Sequence, residues 1–373
     1  MKVLSSGILK WFYPGIGIKR WVGLSTFGVI LLILGTANLR SEEFWLIQLL
    51  DALVVISGII ILILGIKRMM RSFITVFAPS SRGNELVDIL YQKKHLSRGP
   101  RIVAVGGGTG LSVLLSGLKV YSSNISAVVT VADDGGSSGR LRQQFDVLPP
   151  GDIRNCLVAL ADAPALMRDL FQFRFDSSSE FSGHSFGNLF LTVMTRLTGD
   201  FEKAIKETSK VLALRGQVIP STLDNVQLVA HYQDGSMVVG EDLIPKALKP
   251  INKVALLPGQ PLATPDALKA IKEAQIIVLG PGSLYTSIIP NLLVSELSEA
   301  IAESEAIKVY VCNVMTQQGE TDGYGVSDHI RALVNHSHSH ILDYCVVNNG
   351  EVRSKSTRLN SSHFCVSRMP SSA

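Results

Sequence analysis

The chain has 373 residues, of which 46% are hydrophobic and only 18% are charged, which makes it more apolar than an average soluble domain. Its net charge of +4 arises in residues 1–72, where eight Lys or Arg stand against three Asp or Glu, whereas the remainder is close to neutral. Because the excess of basic residues is confined to the N-terminal part, the positive net charge does not indicate a nucleic-acid-binding surface. The four cysteines form no Cys-x-x-Cys pair, and we expect free thiols in a reducing compartment.

Two long apolar stretches predict a membrane anchor within residues 1–75. Residues 21–38 carry no charge and residues 44–66 carry only Asp51, and both lengths suit a membrane-spanning helix. Basic residues flank the outer ends of the pair, and a short loop joins the two stretches. The positive-inside rule then predicts a multi-pass protein of the cell membrane with both ends and the globular part in the cytoplasm. A polar linker over residues 76–100 follows.

The globular part opens with a strand predicted over Ile102–Val105, a glycine-rich turn and a helix. Glycine lets the backbone approach a phosphate closely, and the N-terminus of the following helix favours an anion. We therefore predict a nucleotide-phosphate cradle here, with a plain glycine turn as the alternative. Leu111 stands where the dinucleotide-binding pattern G-x-G-x-x-G needs its third glycine, so this motif does not predict an NAD site. The cradle residues are Gly107, Gly108, Thr109 and Gly110.

A second buried strand is predicted over residues 125–132, because its valine-rich run is typical of a parallel sheet that is covered on both faces. It ends in a polar loop, and strand ends of this kind form the crevice where α/β sheets bind ligands. Asp133 and Asp134 are candidate ligands of Mg²⁺ or of ribose hydroxyls, and Arg140 is a candidate for pyrophosphate. A solvated turn is the alternative. Ser137 and Ser138 complete this set.

Two helix starts supply further candidates. Asp152 precedes a helix predicted over residues 153–161, where it is expected either to cap the helix or to contact a ligand, and Asn155 follows in the first turn. His184 and Asn188 stand just before a helix predicted over residues 189–197. A histidine in this position can contact a phosphate or act as an acid–base group, with a structural hydrogen bond as the alternative.

The second half of the chain predicts a small antiparallel hairpin over residues 226–239 and buried strands over residues 275–279 and 307–315. The first of these strands runs into another glycine turn, and the second ends in a polar loop. Two glycine turns in one sheet predict one ligand site lined from both sides. The candidates on this side are Gly282, Ser283, Tyr285, Thr286 and Thr316.

The domain is predicted to cover residues 101–353, with a last strand over residues 341–347. Three alternating histidines at residues 336–340 lack matching Cys or acid spacing, so we predict no metal site there. Residues 354–373 contain seven serines and no periodicity, and we predict a non-native or disordered tail. The pattern as a whole predicts an α/β fold: a Rossmann-like, doubly wound, mostly parallel sheet with a small antiparallel hairpin insertion, preceded by two transmembrane helices.

Six motifs in order carry a family resemblance: GGGTGLS at 106–112, VTVADDGGSSGRLR at 129–142, PPGDIRN at 149–155, GHSFGNL at 183–189, LGPGSLYTSIIPNLL at 279–293 and CNVMTQQGETDGY at 312–324. Over about residues 101–349 the chain resembles the YvcK-type gluconeogenesis factors of the CofD-like, or 2-phospho-lactate transferase, superfamily. The resemblance implies a Rossmann-like fold that binds a UDP-sugar such as UDP-N-acetylglucosamine. It also implies a regulatory role in cell shape and peptidoglycan synthesis during gluconeogenic growth. The N-terminal hairpin is an addition to the usual soluble pattern.

The resemblance further implies that the candidate residues line the UDP-sugar site, with Mg²⁺ as a further ligand of the two aspartates. Wall-synthesis proteins and a second copy of the chain are the candidate protein partners. The transferase branch implies an alternative, the Mg²⁺-dependent transfer of phospholactate from a nucleotide-linked donor to a deazaflavin. The GGSSGRLR run after the aspartate pair resembles the YvcK branch, so we expect a non-enzymatic binder and name no catalytic residue.

Overall fold

The computed structural model describes residues 18–38, 45–77, 94–176, 181–350 and 364–368. The chain divides into two compact units, residues 1–92 and residues 93–373. The predicted loop of the hairpin, most of the linker and most of the C-terminal tail lie outside the described residues.

The N-terminal unit consists of two long helices, α1 (Ile18–Asn38) and α2 (Trp45–Phe77). They approach closely where glycines face each other: a Cβ on Gly28 would lie 2.8 Å from the backbone nitrogen of Leu62. Both helices are long and apolar enough to cross a membrane. The two predicted apolar helices are therefore present, and α2 extends beyond the predicted end at residue 66, because the residues that follow are good helix formers.

The C-terminal unit is an α/β structure. Its strands are β1 (Ile102–Gly106), β2 (Ile125–Val129), β3 (Gln217–Pro220), β4 (Gln227–Tyr232), β5 (Met237–Val239), β6 (Ile251–Leu257), β7 (Ile276–Leu279), β8 (Ile307–Val311), β9 (Tyr344–Asn348) and β10 (Phe364–Arg368). Its helices are α3 (Gly108–Leu118), α4 (Gly136–Phe145), α5 (Gly151–Leu160), α6 (Ala165–Gln172), α7 (Phe186–Thr198), α8 (Phe201–Val211), α9 (Pro265–Glu273), α10 (Ile289–Leu292), α11 (Ser295–Glu303) and α12 (Val326–Asn335).

The main sheet has the strand order β10-β9-β8-β7-β1-β2-β3, and β10 alone runs antiparallel to its neighbour. The chain winds outward from β1 to β3, returns to β7 beside β1, and winds outward again to β9. The strand order therefore reverses between β1 and β7, which is where doubly wound sheets bind their ligands. This topology confirms the predicted Rossmann-like fold class.

A second, three-stranded antiparallel sheet has the order β5-β4-β6. It contains the predicted hairpin as β4 and β5, and it adds β6, which the sequence did not predict because charged and polar residues interrupt its apolar alternation. Two apolar clusters fill the faces of the main sheet. One joins the main sheet to the antiparallel sheet, α9, α11 and α12, and the other lies under α3, α5 and α7.

The predicted ends of two strands need correction, and one of them is β8, which ends at Val311 rather than at residue 315 because the chain beyond it enters the polar loop. Strand β2 ends at Val129 rather than at residue 132, because the chain beyond it leaves the sheet to form the polar loop. The predicted unstructured tail contains a strand, Phe364–Arg368, which pairs antiparallel with β9. Its short apolar run completes the open edge of β9, and an edge strand pairs readily because its backbone groups lack partners. Cys156, Cys312 and Cys345 are buried free thiols, as predicted.

Candidate functional site

Two glycine turns meet at the carboxyl edge of the sheet, between the neighbouring strands β1 and β7. Gly108 and Gly280 have φ values of +65° and +78°, which favour glycine because a side chain would be strained there. A Cβ on Gly282 would lie 3.3 Å from the carbonyl oxygen of Gly107. The structure therefore brings together the two turns that the sequence assigned to one site.

Gly110 is where the second turn touches helix α3. A Cβ at this position would lie 2.6 Å from the carbonyl oxygen of Pro281. Behind the turns, the buried Asn291 donates from Nδ2 to the carbonyl oxygens of Gly106 (3.1 Å) and Ser287 (2.8 Å). The two turns are thus held in contact by backbone fit and by one buried amide.

Helix α3 presents its N-terminus at this edge. No side chain caps it through Gly107, and Thr109 in its first turn is exposed. Such a terminus offers unpaired N–H groups and a positive dipole end to an anion. One donor is engaged within the protein, because the backbone N–H of Gly108 bonds to the carboxylate of Asp152.

Asp152 does not cap helix α5, which corrects one of the two sequence-based interpretations. Pro150 occupies the N-cap position, and Asp152 Oδ2 instead lies against Gly107, 2.5 Å from the position of a Cβ there. Burial, together with the nearby Asp133 carboxylate, raises the pKa of Asp152 to about 7. Asp152 therefore belongs to the candidate site, where it stands at the anion-binding end of α3.

The adjacent aspartates have different surroundings. Asp133 Oδ1 accepts the N–H of Gly135 (2.9 Å), and Oδ2 approaches Gly151 at the start of α5. Burial raises the pKa of Asp133. Asp134 turns toward the antiparallel section, where its Oδ1 accepts the N–H of Asp242 (3.0 Å). Asp133 thus lies at the start of α5, near Asp152, whereas Asp134 fixes the segment that follows β5.

That segment brings an acidic residue that the sequence analysis missed. Burial, together with the nearby carboxylates of Asp133 and Asp152, raises the pKa of Glu241 to about 8. Three carboxyl groups with raised pKa values therefore share one region of the carboxyl edge. Glu241 carries no local signal, since it is a single acid in a turn more than 100 residues beyond Asp133.

Ser137 and His184 form the centre of a buried polar cluster. Ser137 Oγ lies 3.0 Å from His184 Nδ1 and accepts a hydrogen bond from Asn188 Nδ2 (3.0 Å). Ser185 caps α7 by accepting the N–H of Asn188 and also accepts a hydrogen bond from the guanidinium of Arg154. Burial lowers the pKa of His184. The structure thus joins three predicted residues, and it adds Ser185 and Arg154 to them.

The remaining polar candidates of this side serve mainly structural contacts. Arg140 is exposed and donates to the carbonyl oxygen of Ser182 (2.7 Å). Asn155 Oδ1 accepts a hydrogen bond from Arg154 (2.6 Å). Ser138 bonds to the carboxylate of Asp133. Ser138 therefore remains next to the candidate cradle, whereas Arg140 and Asn155 are held by neighbouring groups.

The second glycine turn continues into a π-helical turn, Leu284–Ile288. Here the hydroxyl of Thr286 donates to Glu320 (3.1 Å), a buried carboxylate that the sequence analysis missed. Tyr285 is 3% exposed, and its hydroxyl lies 2.8 Å from that of Tyr324. Both predicted side chains therefore point into the protein.

Two other predicted residues lie nearer the edge. The hydroxyl of Ser283 donates to Gln317 (2.7 Å), and Thr316 is exposed in the loop after β8. The pKa of Glu320 is raised to about 6. Burial raises it, and the hydrogen bonds from Thr286 and from the backbone N–H groups of the turn offset part of this rise.

Mg²⁺ at Asp133 and Asp134 stays a prediction; one oxygen of each carboxylate accepts a backbone N–H, from Gly135 and from Asp242 respectively. Within the described residues, no group of three or more His, Cys, Asp or Glu side chains is placed to hold a metal ion. Asp152 is the carboxylate that lies against the glycine turn. A cation at this edge would therefore need oxygen atoms from its ligand in addition to protein carboxylates.

Together, the doubly wound sheet and the paired glycine turns at its point of strand-order reversal define a Rossmann-like α/β protein with a candidate ligand site at the carboxyl edge of its sheet. A family model described as 2-phospho-L-lactate transferase CofD matches residues 102–366. The chain therefore belongs to the CofD family, and its relatives place it with the gluconeogenesis factors of that family.

A Bacillus subtilis protein named gluconeogenesis factor is 51% identical over 253 residues, which cover 68% of this chain and 80% of the relative. A Nostoc sp. relative is 54% identical over 342 residues, or 87% of this chain and 75% of its own length. This match is longer than residues 101–373, so part of the N-terminal unit is shared as well. A crystal structure from Bacillus halodurans has a TM-score of 0.67 at 52% identity and covers 69% of this chain and 83% of its own.

Proposed function

We propose that the chain binds a nucleotide sugar of the UDP-N-acetylglucosamine type at the carboxyl edge of its sheet. The observation that carries this proposal is the contact between the two glycine turns, beside an α3 terminus whose N-cap residue, Gly107, makes no side-chain cap bond. Backbone N–H groups and a helix dipole bind a pyrophosphate without base-specific contacts. Asp133 supplies an acceptor for ribose hydroxyls close to the turn.

A regulatory role fits this site better than catalysis. The serine–histidine pair near the edge, Ser137 and His184, is buried to more than nine-tenths, and Asn188 also holds the serine. Relatives bear the name gluconeogenesis factor, and we extend that role to this chain: a factor that supports cell shape and wall synthesis on gluconeogenic carbon sources. The two apolar N-terminal helices would place the nucleotide-sugar site at the inner face of the cell membrane, next to wall-synthesis proteins.

Calorimetric titration of the full chain in detergent tests the binding proposal. We expect UDP-N-acetylglucosamine to bind and to be recovered intact, and GTP, NAD and a deazaflavin to bind at least tenfold more weakly. Thr109→Val is expected to weaken binding about tenfold, because a hydrogen bond to a charged phosphate contributes about 1.5–3 kcal/mol. Ser116→Ala is the matched control, since this exposed hydroxyl lies farther along the same helix. A folded chain that binds no UDP-sugar would refute the proposal.

A second candidate function is Mg²⁺-dependent transfer from a nucleotide-linked donor. The observation that favours it is the group of carboxyls with raised pKa values, Asp133, Asp152 and Glu241, because bound Mg²⁺ would stabilise their charged forms and neutralise a leaving phosphate. Product analysis of a nucleotide donor with and without Mg²⁺ distinguishes the two functions. Asp152→Asn strengthens UDP-sugar binding in a simple binder, since it removes a negative charge beside the phosphate, and it abolishes turnover in a transferase.

A further inference from the structure

A second cavity opens beside the candidate site, between helix α4 and the antiparallel section. We call it the α4 cleft; its volume is about 590 Å³, and its walls include Asp134, Arg142, Gln143, Asn225, Gln227 and Asp242. A volume of this size accommodates a small-molecule ligand or part of one. The α4 cleft lies next to the candidate site at the aspartate pair, because Asp133 lies near Gly151 and Asp152 and the next residue, Asp134, lines the cleft.

Arg142 gives the α4 cleft an unmet hydrogen-bonding capacity. Its side chain is 9% exposed, and Nη2 donates to the carbonyl oxygen of Val226 (2.6 Å). Nη1 is buried and has no hydrogen-bond partner among the described residues. A buried donor without a partner lowers stability, so an acceptor group that reaches Arg142 from the α4 cleft would relieve this loss.

The charges of the α4 cleft argue against a phosphate or a carboxylate as its occupant. Three carboxylates, those of Asp134, Asp146 and Asp242, stand against the single guanidinium of Arg142. A nucleobase is also disfavoured, because bases bind against flat aromatic or apolar faces, and Leu243 is the one large apolar side chain in the lining.

Carboxylates, amides and a guanidinium together match a polyhydroxyl ligand. Sugar hydroxyls donate hydrogen bonds to carboxylates, accept them from a guanidinium, and both donate to and accept from amides. Gln143, Asn225 and Gln227 are exposed, and their uncharged amides can form hydrogen bonds with the hydroxyls of a neutral sugar ring. The chemistry of the α4 cleft is therefore that of a carbohydrate subsite.

We infer that the α4 cleft receives the hexose of the bound nucleotide sugar, with Arg142 donating to a sugar oxygen and the amides of Asn225 and Gln227 bonding its hydroxyls. This inference rests on the proposed function, since it divides that ligand between two subsites. The pyrophosphate would lie at the glycine turns, and the sugar would extend past Asp134 along α4. The α4 cleft would then determine which sugar is accepted.

The test compares UDP with UDP-N-acetylglucosamine by calorimetric titration of the full chain in detergent. The Kd of UDP divided by the Kd of UDP-N-acetylglucosamine measures what the sugar contributes to binding affinity. We expect a ratio of at least tenfold in the unaltered chain, and a reduction of the ratio by about threefold to tenfold in Asn225→Ala and in Gln227→Ala, with the Kd of UDP unchanged. Gln217→Ala is the matched control. Like Gln227, Gln217 is an exposed glutamine that begins a strand, but it lies in the main sheet, at the amino end of β3, beside Ser126.

Each result decides between the two proposals. If UDP binds and the cleft variants leave the ratio unchanged, or the unaltered chain shows a ratio near one, the cleft assignment is overturned and the proposed function stands. If the cleft variants weaken UDP itself and leave the ratio intact, the cleft holds the nucleoside and the assignment is again overturned. If a folded chain binds neither ligand, the proposed function fails. Thermal unfolding of each variant verifies that the substitutions at these exposed positions preserve the fold.

Discussion

The contact between the two glycine turns can be tested by adding one methyl group. In Gly110→Ala the new Cβ would lie 2.6 Å from the carbonyl oxygen and 2.9 Å from the carbonyl carbon of Pro281. Both obstacles are backbone atoms, so no side chain can rotate away. The substitution must push the second turn away from helix α3, which separates the two halves of the proposed cradle.

The expected loss of stability follows from two opposing effects. Overpacking a tight contact costs about 1–3 kcal/mol, and a backbone obstacle places this case near ~3 kcal/mol. Alanine regains ~1 kcal/mol through its higher helix propensity. We therefore expect a net loss of ~2 kcal/mol, which corresponds to a fall in Tm of roughly 4–8 °C for a domain of this size.

Gly117→Ala is the matched control, because Gly117 lies in the same helix and a Cβ there would meet nothing within 4 Å. This variant gains ~1 kcal/mol of helix propensity without a clash, so its Tm should rise by roughly 2–4 °C. Thermal unfolding of the full chain in detergent measures both shifts, and UDP-sugar titration should show weaker binding in Gly110→Ala alone. If Gly110→Ala is as stable as Gly117→Ala, the turns do not touch as described and the cradle argument fails.

Three further predictions concern charge and capping. Burial raises the pKa of Asp152 to about 7, so its ionisation lowers stability above its ordinary pKa of about 4, and about three pKa units correspond to ~4 kcal/mol at pH 8. Asp152→Asn should raise the unfolding free energy by about this amount at pH 8, and chemical denaturation should show the gain shrinking toward pH 4; an equal gain at both pH values would exclude charge as its cause. His336 accepts the Val254 N–H (3.1 Å), and burial lowers its pKa, so stability should fall as pH drops below about 6.5. If the His336→Gln chain loses as much stability between pH 7.5 and pH 5.5 as the unaltered chain does, His336 is not the group responsible. Ser185→Ala should lower the unfolding free energy by ~2 kcal/mol, against ~1 kcal/mol for Asp200→Ala at an exposed helix cap, because Ser185 also bonds to the buried Arg154. Chemical denaturation compares the two variants. Equal losses would show that the bond between Ser185 and Arg154 contributes nothing to stability.

Much of the candidate site was predictable because its signals are local. An apolar run followed by glycines and a helical pattern predicts a strand, a turn and a helix, and the structure has these at β1 and again at β7. The paired aspartates after β2 are found at the same edge, since parallel strands end side by side. The contact of Gly110 with Pro281 extends this prediction, because the sequence suggested one shared site and the structure shows touching backbones.

Several candidate residues owe their contacts in the structure to partners far away in the chain. Asp152 has the residue type and the position of a cap, yet its carboxylate bonds to Gly108, 44 residues earlier in the chain. Tyr285 and Thr286 follow a glycine turn like ligand-binding residues, but Tyr324 and Glu320 hold their hydroxyls. No spacing rule connects such pairs, because loop lengths do not determine which side chains meet.

The sequence by itself determined the fold class, most of the strands and helices, and the residues that stand at the strand ends, because periodicity and turn chemistry act over a few neighbouring positions. The tertiary structure alone decided that β1 lies beside β7, that Glu241 joins Asp133 and Asp152, and that Arg142 faces a cavity. These features arise when segments far apart in the chain pack together, and burial among those segments then sets the charge of each carboxyl group.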